Sequence, residues 1–289
     1  MPAVAEIEVR RATAADLPQI AAVALATGQD EEWGGADPAY MTHLLAHGSV
    51  VVGVSGGSVA GFGATRSLGG GPGAVSMLCD LFVHPRAHGG GAGRAMLAAL
   101  WPGTGGRRMT FSSLHAHALP LYTSVGLDAW WPLLYLRGRV DALAVPGGWQ
   151  AEAASPDSVA AAELSWTGVD RSADHRAWAR RPGGAGVLAF RDGEVMAAGT
   201  AGGAGDEFGV THLAIAPAAD DACAAAAVLA VLAGLRPEDG LARVCLPGPH
   251  PAVRPLLAAG WRVAEFDLFM ATEPGLLDPR RAVPSPALA

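Results

Sequence analysis

The residues best suited to chemistry lie in the stretch 78–97, which reads LCDLFVHPRAHGGGAGRAML. β-branched and large apolar residues around one carboxylate, Asp80, predict a buried strand over 78–83. Four glycines follow within five residues, and then an apolar run of helical composition. Glycines at the start of a helix let backbone N–H groups converge on an anion, most often a phosphate. A glycine-rich turn without a ligand is the alternative interpretation.

Two common phosphate-binding loops do not fit this helix. A Walker loop requires Gly-Lys-Ser/Thr at the helix start, and the chain has Gly93-Arg94-Ala95 instead. A Rossmann fingerprint requires a third small residue where Met96 stands, and an acidic residue about twenty positions further on. The sequence therefore argues against nucleotide hydrolysis and against dinucleotide binding at this loop.

The pattern Val83-x-Pro85-x-x-His88-x-x-Gly91-x-Gly93 resembles the acetyl-CoA signature of the GNAT (Gcn5-related) N-acetyltransferases. His88 occupies the place where that family carries Arg or Gln. The resemblance implies that the loop binds the pyrophosphate of acetyl-CoA and that backbone groups at the strand end meet the pantetheine arm. The cofactor-binding residues implied are Leu81, Phe82, Val83, His88, Gly89, Gly90, Gly91, Ala92, Gly93, Arg94 and His115.

A second landmark lies at 115–127, where HAHALPLYTSVGL resembles the GNAT pattern Asn-x-x-Ala-x-x-Leu-Tyr-x-x-x-Gly-Phe. His115 stands in the place of the asparagine and Leu127 in the place of the phenylalanine. In that family the tyrosine protonates the leaving thiolate of CoA, so the resemblance implies that role for Tyr122. A core tyrosine with a satisfied hydroxyl is the alternative.

Transfer to an amine also requires a general base. Asp80 is the first candidate, because Asp-Leu-Phe-Val resembles the central strand of GNAT enzymes that act on polyamines and small amines; His115 and Glu31 are held in reserve. The alternative for Asp80 is a strand carboxylate bonded to backbone N–H groups. Glu31, Glu32 and Trp33 are predicted to bind the acceptor, and a solvated loop is the alternative for them.

The second half reads as a degenerate copy of the first. Leu213-Ala-Ile215-Ala-Pro217 parallels the strand end at 81–85, but Asp220, Asp221 and Cys223 replace the loop residues, and carboxylates repel a pyrophosphate. We therefore expect an α/β (α+β) fold with two GNAT domains in tandem, each a mixed central sheet flanked by helices. The predicted parts are an N-terminal GNAT domain with the acetyl-CoA site (1–145), a degenerate C-terminal GNAT-like domain (149–272) and a C-terminal tail (273–289).

Composition and charge limit the classes of partner and ligand expected for this protein. The formal net charge of −7 argues against nucleic acid and suits a cationic acceptor. Neither a signal peptide nor a membrane span is evident, and three scattered cysteines form no metal pair. His43 and His47 have zinc-ligand spacing but lack a glutamate and a third ligand. We expect a cytoplasmic monomer or homodimer without metal, acting on a small-molecule or peptide amine, with no nucleic-acid or membrane partner.

The function predicted from the sequence is N-acetyl transfer from acetyl-CoA to a primary amine by direct transfer in a ternary complex. The alternative is a non-catalytic protein that senses acyl-CoA or acts as a scaffold. A remote alternative is a serine hydrolase, because Gly53-x-Ser55-x-Gly57 matches a nucleophile elbow and 88–91 matches an HGGG oxyanion motif.

Overall fold

The structure is a computed structural model that describes residues 7–29, 36–103, 105–203, 208–235 and 240–288. The chain divides into two compact units. The first comprises Met1–Thr110 and Ala116–Asp128, and the second comprises Phe111–His115 and Ala129–Ala289. This division follows contacts between residues, and the domain boundaries given above remain predictions.

Among its described residues, the first unit contains five β-strands and four α-helices. They are β1 (Glu8–Arg11), α1 (Leu17–Ala26), α2 (Pro38–His47), β2 (Gly48–Ser55), β3 (Ser58–Leu68), β4 (Val75–Val83), α3 (Ala92–Leu100), β5 (Arg107–Ser112) and α4 (Ala118–Thr123). The strands follow the order β1-β2-β3-β4-β5. All neighbours are antiparallel except β4 and β5, which are parallel and are connected through α3.

Local sequence signals account for the elements around the site. The Asp37 carboxylate accepts a hydrogen bond from the Ala39 N–H at 2.8 Å and caps α2, which begins with Pro38. Gly56 and Gly57 have positive φ and turn β2 directly into β3. The dipeptide Asp37-Pro38 thus accounts for the start of α2, and Gly56-Gly57 for the hairpin formed by β2 and β3.

The second unit contains the remaining elements. They are β6 (Asp128–Arg139), β7 (Trp149–Ala154), α5 (Pro156–Thr167), α6 (Ser172–Ala179), β8 (Ala185–Arg191), β9 (Glu194–Gly202), β10 (Gly209–Ile215), α7 (Asp221–Gly234), β11 (Leu241–Pro247), α8 (Val253–Ala258), β12 (Arg262–Ala271) and β13 (Ala282–Val283). The strand order is β12-β6-β11-β10-β9-β8-β7, and β13 pairs with β10. The alanine-rich α7 packs into the buried core of this unit.

The two units share one sequence of pairings. In the second unit β7, β8, β9 and β10 are joined by antiparallel pairs, and β10 and β11 then pair in parallel across α7. This repeats the pattern of β1 to β5 around α3. The repetition read from the sequence is therefore present in the strand topology, and the expected α/β fold with mixed sheets flanked by helices is confirmed.

Candidate active site

The pairing of strand β4 with both of its neighbours changes near Cys79. Ala64 of β3 pairs with Asp80, whereas the next residue, Thr65, pairs with Leu78, so Cys79 forms a β-bulge. The parallel pairs with β5 run only as far as Leu78 opposite Thr110, although β4 continues to Val83. The bulge therefore coincides with the point where the pairing of β4 with β5 ends, and Leu81, Phe82 and Val83 lie beyond it.

A glycine loop joins β4 to α3. Gly89 and Gly91 have φ angles of +79° and +80°, a conformation that other residues adopt only with strain. Gly91 is the N-cap of α3, and no side chain among the described residues caps this helix. Apart from its own helix and chain neighbours, no described residue has a heavy atom within 4 Å of the position that a Cβ on Gly91 would take. The N-terminus of α3 therefore has both the first-turn N–H groups without a side-chain cap and the open space at Gly91 that an anion requires.

His88 anchors the loop to the strand. Its side chain is exposed, and its Nε2 lies 2.8 Å from the carbonyl oxygen of Val83, to which the ring N–H donates. The residue that departs from the family pattern thus holds the loop conformation through its side chain. A neutral imidazole protonated on Nε2 is sufficient for this contact.

α3 and α4 meet at the loop. A Cβ on Gly93 would lie 3.6 Å from side-chain atoms of both Leu121 and Val83, so the helix start packs against β4 and α4. Arg94 is exposed, and its Nη1 lies 3.4 Å from the hydroxyl oxygen of Ser124. Tyr122, next to Leu121, is buried. The structure thus brings the helix of Tyr122 next to the glycine loop.

Asp80 is buried and hydrogen-bonded to a residue that the sequence analysis missed. The Tyr40 hydroxyl, on α2, donates to Asp80 Oδ2 at 2.6 Å. Burial raises the pKa of Asp80 to about 6, and the hydrogen bond from Tyr40 opposes that rise. The same burial, together with the charge of Asp80, raises the pKa of Tyr40 well above its ordinary value. Asp80 is therefore a carboxyl group able to exchange a proton near neutral pH.

The structure describes the other predicted site residues only in part. His115 is exposed in the loop between β5 and α4. Glu31, Glu32 and Trp33 lie outside the described residues. Ser55 ends β2 and is followed by the turn into β3, whereas a hydrolase nucleophile elbow joins a strand to a helix. Ser55 therefore lacks the strand-to-helix turn that the remote serine-hydrolase alternative requires of its nucleophile.

The corresponding helix of the second unit is capped by its own acid. Asp220 Oδ1 accepts a hydrogen bond from the Cys223 N–H at 2.7 Å at the start of α7. Asp221 forms ion pairs with Arg280 and Arg281, which lower the pKa of its carboxyl group to about 2. The anion-binding end of α7 is thus occupied by carboxylates of the chain itself.

Three buried side chains of the second unit could hold a metal ion. Glu163, His175 and His212 each offer a ligand atom, and these atoms lie within 4.8 Å of one another. Burial raises the pKa of Glu163, but the neighbouring histidines and Arg171 outweigh it and hold that pKa well below its ordinary value. Burial lowers the pKa of His212. The expectation of a protein without metal rested on spacing along the sequence, which does not reveal this cluster.

Fold and site together define a protein of the acyltransferase class, with a bulged central strand, a glycine loop and a helix that can receive a phosphate. Residues 17–126 match the family model described as "Acetyltransferase (GNAT) family". The N-terminal part of the chain, residues 17–126, therefore carries a GNAT-type acetyltransferase domain, which is the domain of an acyltransferase. No significant match is found among curated proteins.

Solved structures share the fold over nearly the whole chain. A protein from Pyrococcus horikoshii assigned as an acetyltransferase has a TM-score of 0.69 at 14% identity, covering 98% of this chain and 94% of its own. A tandem GNAT protein from the clavulanic acid biosynthesis pathway has a TM-score of 0.59 at 17% identity, covering 94% and 100%. A GCN5-related N-acetyltransferase from Anabaena variabilis has a TM-score of 0.60 at 11% identity, covering 95% and 75%.

At these identities the likeness concerns the fold. It confirms the predicted tandem GNAT fold, because the coverage extends through both halves of the chain. Within the described residues, no helix is long and apolar enough to span a lipid bilayer.

Proposed function

We propose that the N-terminal unit transfers an acetyl group from acetyl-CoA to a primary amine of a small molecule or peptide, by direct transfer in a ternary complex. One observation carries the proposal: the bulge at Cys79, the end of the β4–β5 pairing and the glycine-capped start of α3 follow one another in a single stretch. The bulge exposes strand backbone, and the helix start offers N–H groups to a phosphate.

Acetyl-CoA fits the residues that are present. The open space at Gly91 and the lack of a side-chain cap on α3 support binding of the pyrophosphate by the backbone of 89–93, with Arg94 as a side-chain donor. Leu81, Phe82 and Val83 would offer backbone groups to the pantetheine arm. The bound acetyl-CoA supplies the activated thioester. His115 remains a predicted contact to the pantetheine arm.

The chemistry assigns one proton to each of two residues. Asp80 accepts a proton from the acceptor amine, directly or through one water, because a carboxyl group with a pKa of about 6 is mostly ionised at pH 7. A bond between the amine nitrogen and the acetyl carbon forms while the bond to sulfur breaks. Tyr122 donates its proton to the leaving thiolate, and the second proton that the nitrogen loses on becoming an amide passes to the Tyr122 phenolate through water. Tyr40 positions Asp80 through its hydrogen bond.

The acceptor is proposed as a cationic amine. The net charge of −7 favours attraction of a protonated amine, and Glu31, Glu32 and Trp33 remain the predicted acceptor-binding residues. An ionised Asp80 adds one negative charge at the reacting end of that site.

Isothermal titration with acetyl-CoA and with CoA tests the cofactor assignment, and thiol release with a panel of amines tests transfer. We expect one binding site per chain. Tyr122→Phe should lower kcat with the affinity for acetyl-CoA nearly unchanged. Tyr135→Phe is the control, because it makes the same substitution in the second unit, where the Tyr135 hydroxyl donates to Asp267. No binding of acetyl-CoA or CoA would contradict the proposal.

A non-catalytic acyl-CoA sensor is the second candidate. It is favoured by the contact of His88 with the Val83 carbonyl, a backbone group that the pantetheine arm would otherwise be expected to meet. A sensor would bind acetyl-CoA without thiol release for any amine, and its binding would be unchanged in Tyr122→Phe.

A further inference from the structure

The buried cluster in the second unit is assembled from three separate elements. Glu163 lies on α5, His175 on α6 and His212 on β10, and all three side chains are almost fully buried. Glu163 Oε2 lies 2.6 Å from His175 Nε2, and Glu163 Oε1 lies 3.0 Å from His212 Nε2. Two imidazoles and one carboxylate thus point their ligand atoms at one place in the interior.

We propose that Glu163, His175 and His212 bind one divalent transition-metal ion of the Zn²⁺ type. Two histidines and one glutamate are a donor set that Zn²⁺ takes in proteins, with water in the remaining position. Bond lengths near 2.1 Å place neighbouring ligands of a tetrahedral ion about 3.4 Å apart. The two carboxylate–imidazole separations of 2.6 and 3.0 Å would have to lengthen by about 0.8 and about 0.4 Å, and all three ligand atoms already lie within 4.8 Å of one another.

A hydrogen bond orients the His175 ring and stacking orients the His212 ring, whose buried Nδ1 has no hydrogen-bond partner among the described residues. His175 Nδ1 shares a hydrogen bond of 3.0 Å with the Thr200 hydroxyl, an outer contact that fixes the ring with Nε2 towards the cluster. The His212 ring stacks on Trp178 with centroids 5.2 Å apart. The side chains thus hold both Nε2 atoms towards the carboxylate.

Charge in the pocket also favours a cation. Glu163 and Asp174 carry one negative charge each, and Arg171, paired with Asp174 at 3.2 Å, carries one positive charge. With neutral imidazoles the group has a net charge of −1, and burial of that charge is costly without a counter-ion. A metal ion there would join α5, α6 and β10. The competing occupant is a proton, with the imidazole N–H groups donating to Glu163.

The test is titration of the EDTA-treated full chain with Zn²⁺ in the His43→Asn/His47→Asn background. These two histidines lie four residues apart on α2 with ring centroids 4.8 Å apart, so they could bind Zn²⁺ at the surface. In this background we expect one equivalent to bind and the thermal unfolding temperature to rise. Glu163→Gln and His212→Asn should weaken binding by about a hundredfold or more, and Thr200→Val by about ten- to a hundredfold.

Co²⁺ gives a readout that does not depend on the folding of any buried variant. The background protein loaded with Co²⁺ should show the intense visible bands of a four-coordinate nitrogen and oxygen site. A spectrum of hydrated Co²⁺ alone would overturn the proposal. The proposal would also be overturned if the His43→Asn/His47→Asn protein did not bind Zn²⁺, or if a folded Glu163→Gln variant bound Zn²⁺ equally well. Either result would leave a proton as the occupant of the cluster.

Discussion

Replacing Tyr40 by phenylalanine tests the general-base assignment through a pKa. The substitution removes the hydroxyl that donates to Asp80 Oδ2 at 2.6 Å and keeps the ring on α2. Because a hydrogen bond to a carboxylate favours its ionised form, the loss must raise the pKa of Asp80. A hydrogen bond to a charged group contributes about 1.5–3 kcal/mol, so the pKa should rise from about 6 to between about 7 and 8.

The assay is kcat/KM for acetyl-CoA as a function of pH, measured with one amine acceptor for every variant. The acid limb of this profile reports the essential base of the free enzyme. With a pKa near 7.5 in Tyr40→Phe, the ionised fraction of Asp80 at pH 6.5 falls about eightfold relative to the wild-type chain. The two rates should converge by about pH 9, where both carboxyl groups are ionised.

Tyr135→Phe provides the matched control. Tyr135 donates to Asp267 Oδ2 at the same distance of 2.6 Å, but in the second unit. Its loss should leave the acid limb in place. An acid limb at the same pH in Tyr40→Phe and wild type would refute the assignment of Asp80 as the base. The same conclusion would follow if Asp80→Asn kept full activity with an unchanged acid limb.

Three further predictions concern stability and cofactor binding. Folding raises the pKa of Asp80 from 3.8 to about 6, so ionisation of this carboxyl group lowers the stability of the chain as pH rises from about 4 to about 6. Asp80→Asn removes this penalty and should stabilise the chain by up to about 3 kcal/mol at pH 8 and by little at pH 4, as measured by urea unfolding. Gly91→Ala and Gly57→Ala meet the same φ of +80° and open space, so both should lose about 1 kcal/mol of stability, but only Gly91→Ala should weaken acetyl-CoA binding in titration calorimetry. His88→Ala removes the contact with Val83 and should weaken acetyl-CoA binding about two- to twelvefold, and unchanged affinity would contradict the anchoring role.

The parts of the fold that the sequence predicted are those with local signals. Asp37-Pro38 predicts the start of α2 because the cap and the first helical residue are adjacent in the chain. Gly56-Gly57 predicts the turn between β2 and β3 because positive φ is a property of single residues. The glycine loop before α3 is of the same kind, and it carries the resemblance to the GNAT signature.

What the sequence could not predict depends on distant residues meeting. Tyr40 and Asp80 are forty positions apart, and nothing in an apolar helix marks one tyrosine as the partner of a strand carboxylate. The bulge at Cys79 is a register shift, which depends on β3 as much as on β4. The sequence signal that could have identified Tyr40 is an aromatic residue with a hydroxyl group on a helix expected to pack against the central strand.

The expectation of a protein without metal has the same limitation. It considered the pair His43 and His47, whose spacing is visible along one helix. The ligand atoms of Glu163, His175 and His212 come together only because α5, α6 and β10 pack around one buried point. Cysteine counts and short spacings therefore say little about sites assembled from separate elements.

The equivalent helices α3 and α7 differ in what accepts hydrogen bonds from the N–H groups of their first turns. The first-turn N–H groups of any helix require an acceptor. On α7 the carboxylate of Asp220 provides it, through the 2.7 Å hydrogen bond from Cys223. On α3 the N-cap is Gly91, which has no side chain and gives up only a few tenths of a kcal/mol relative to a polar cap. That small loss of stability keeps the α3 N-terminus open to a phosphate, whereas on α7 a phosphate would have to displace a carboxylate of its own charge. The expected stoichiometry of one acetyl-CoA per chain follows from this difference.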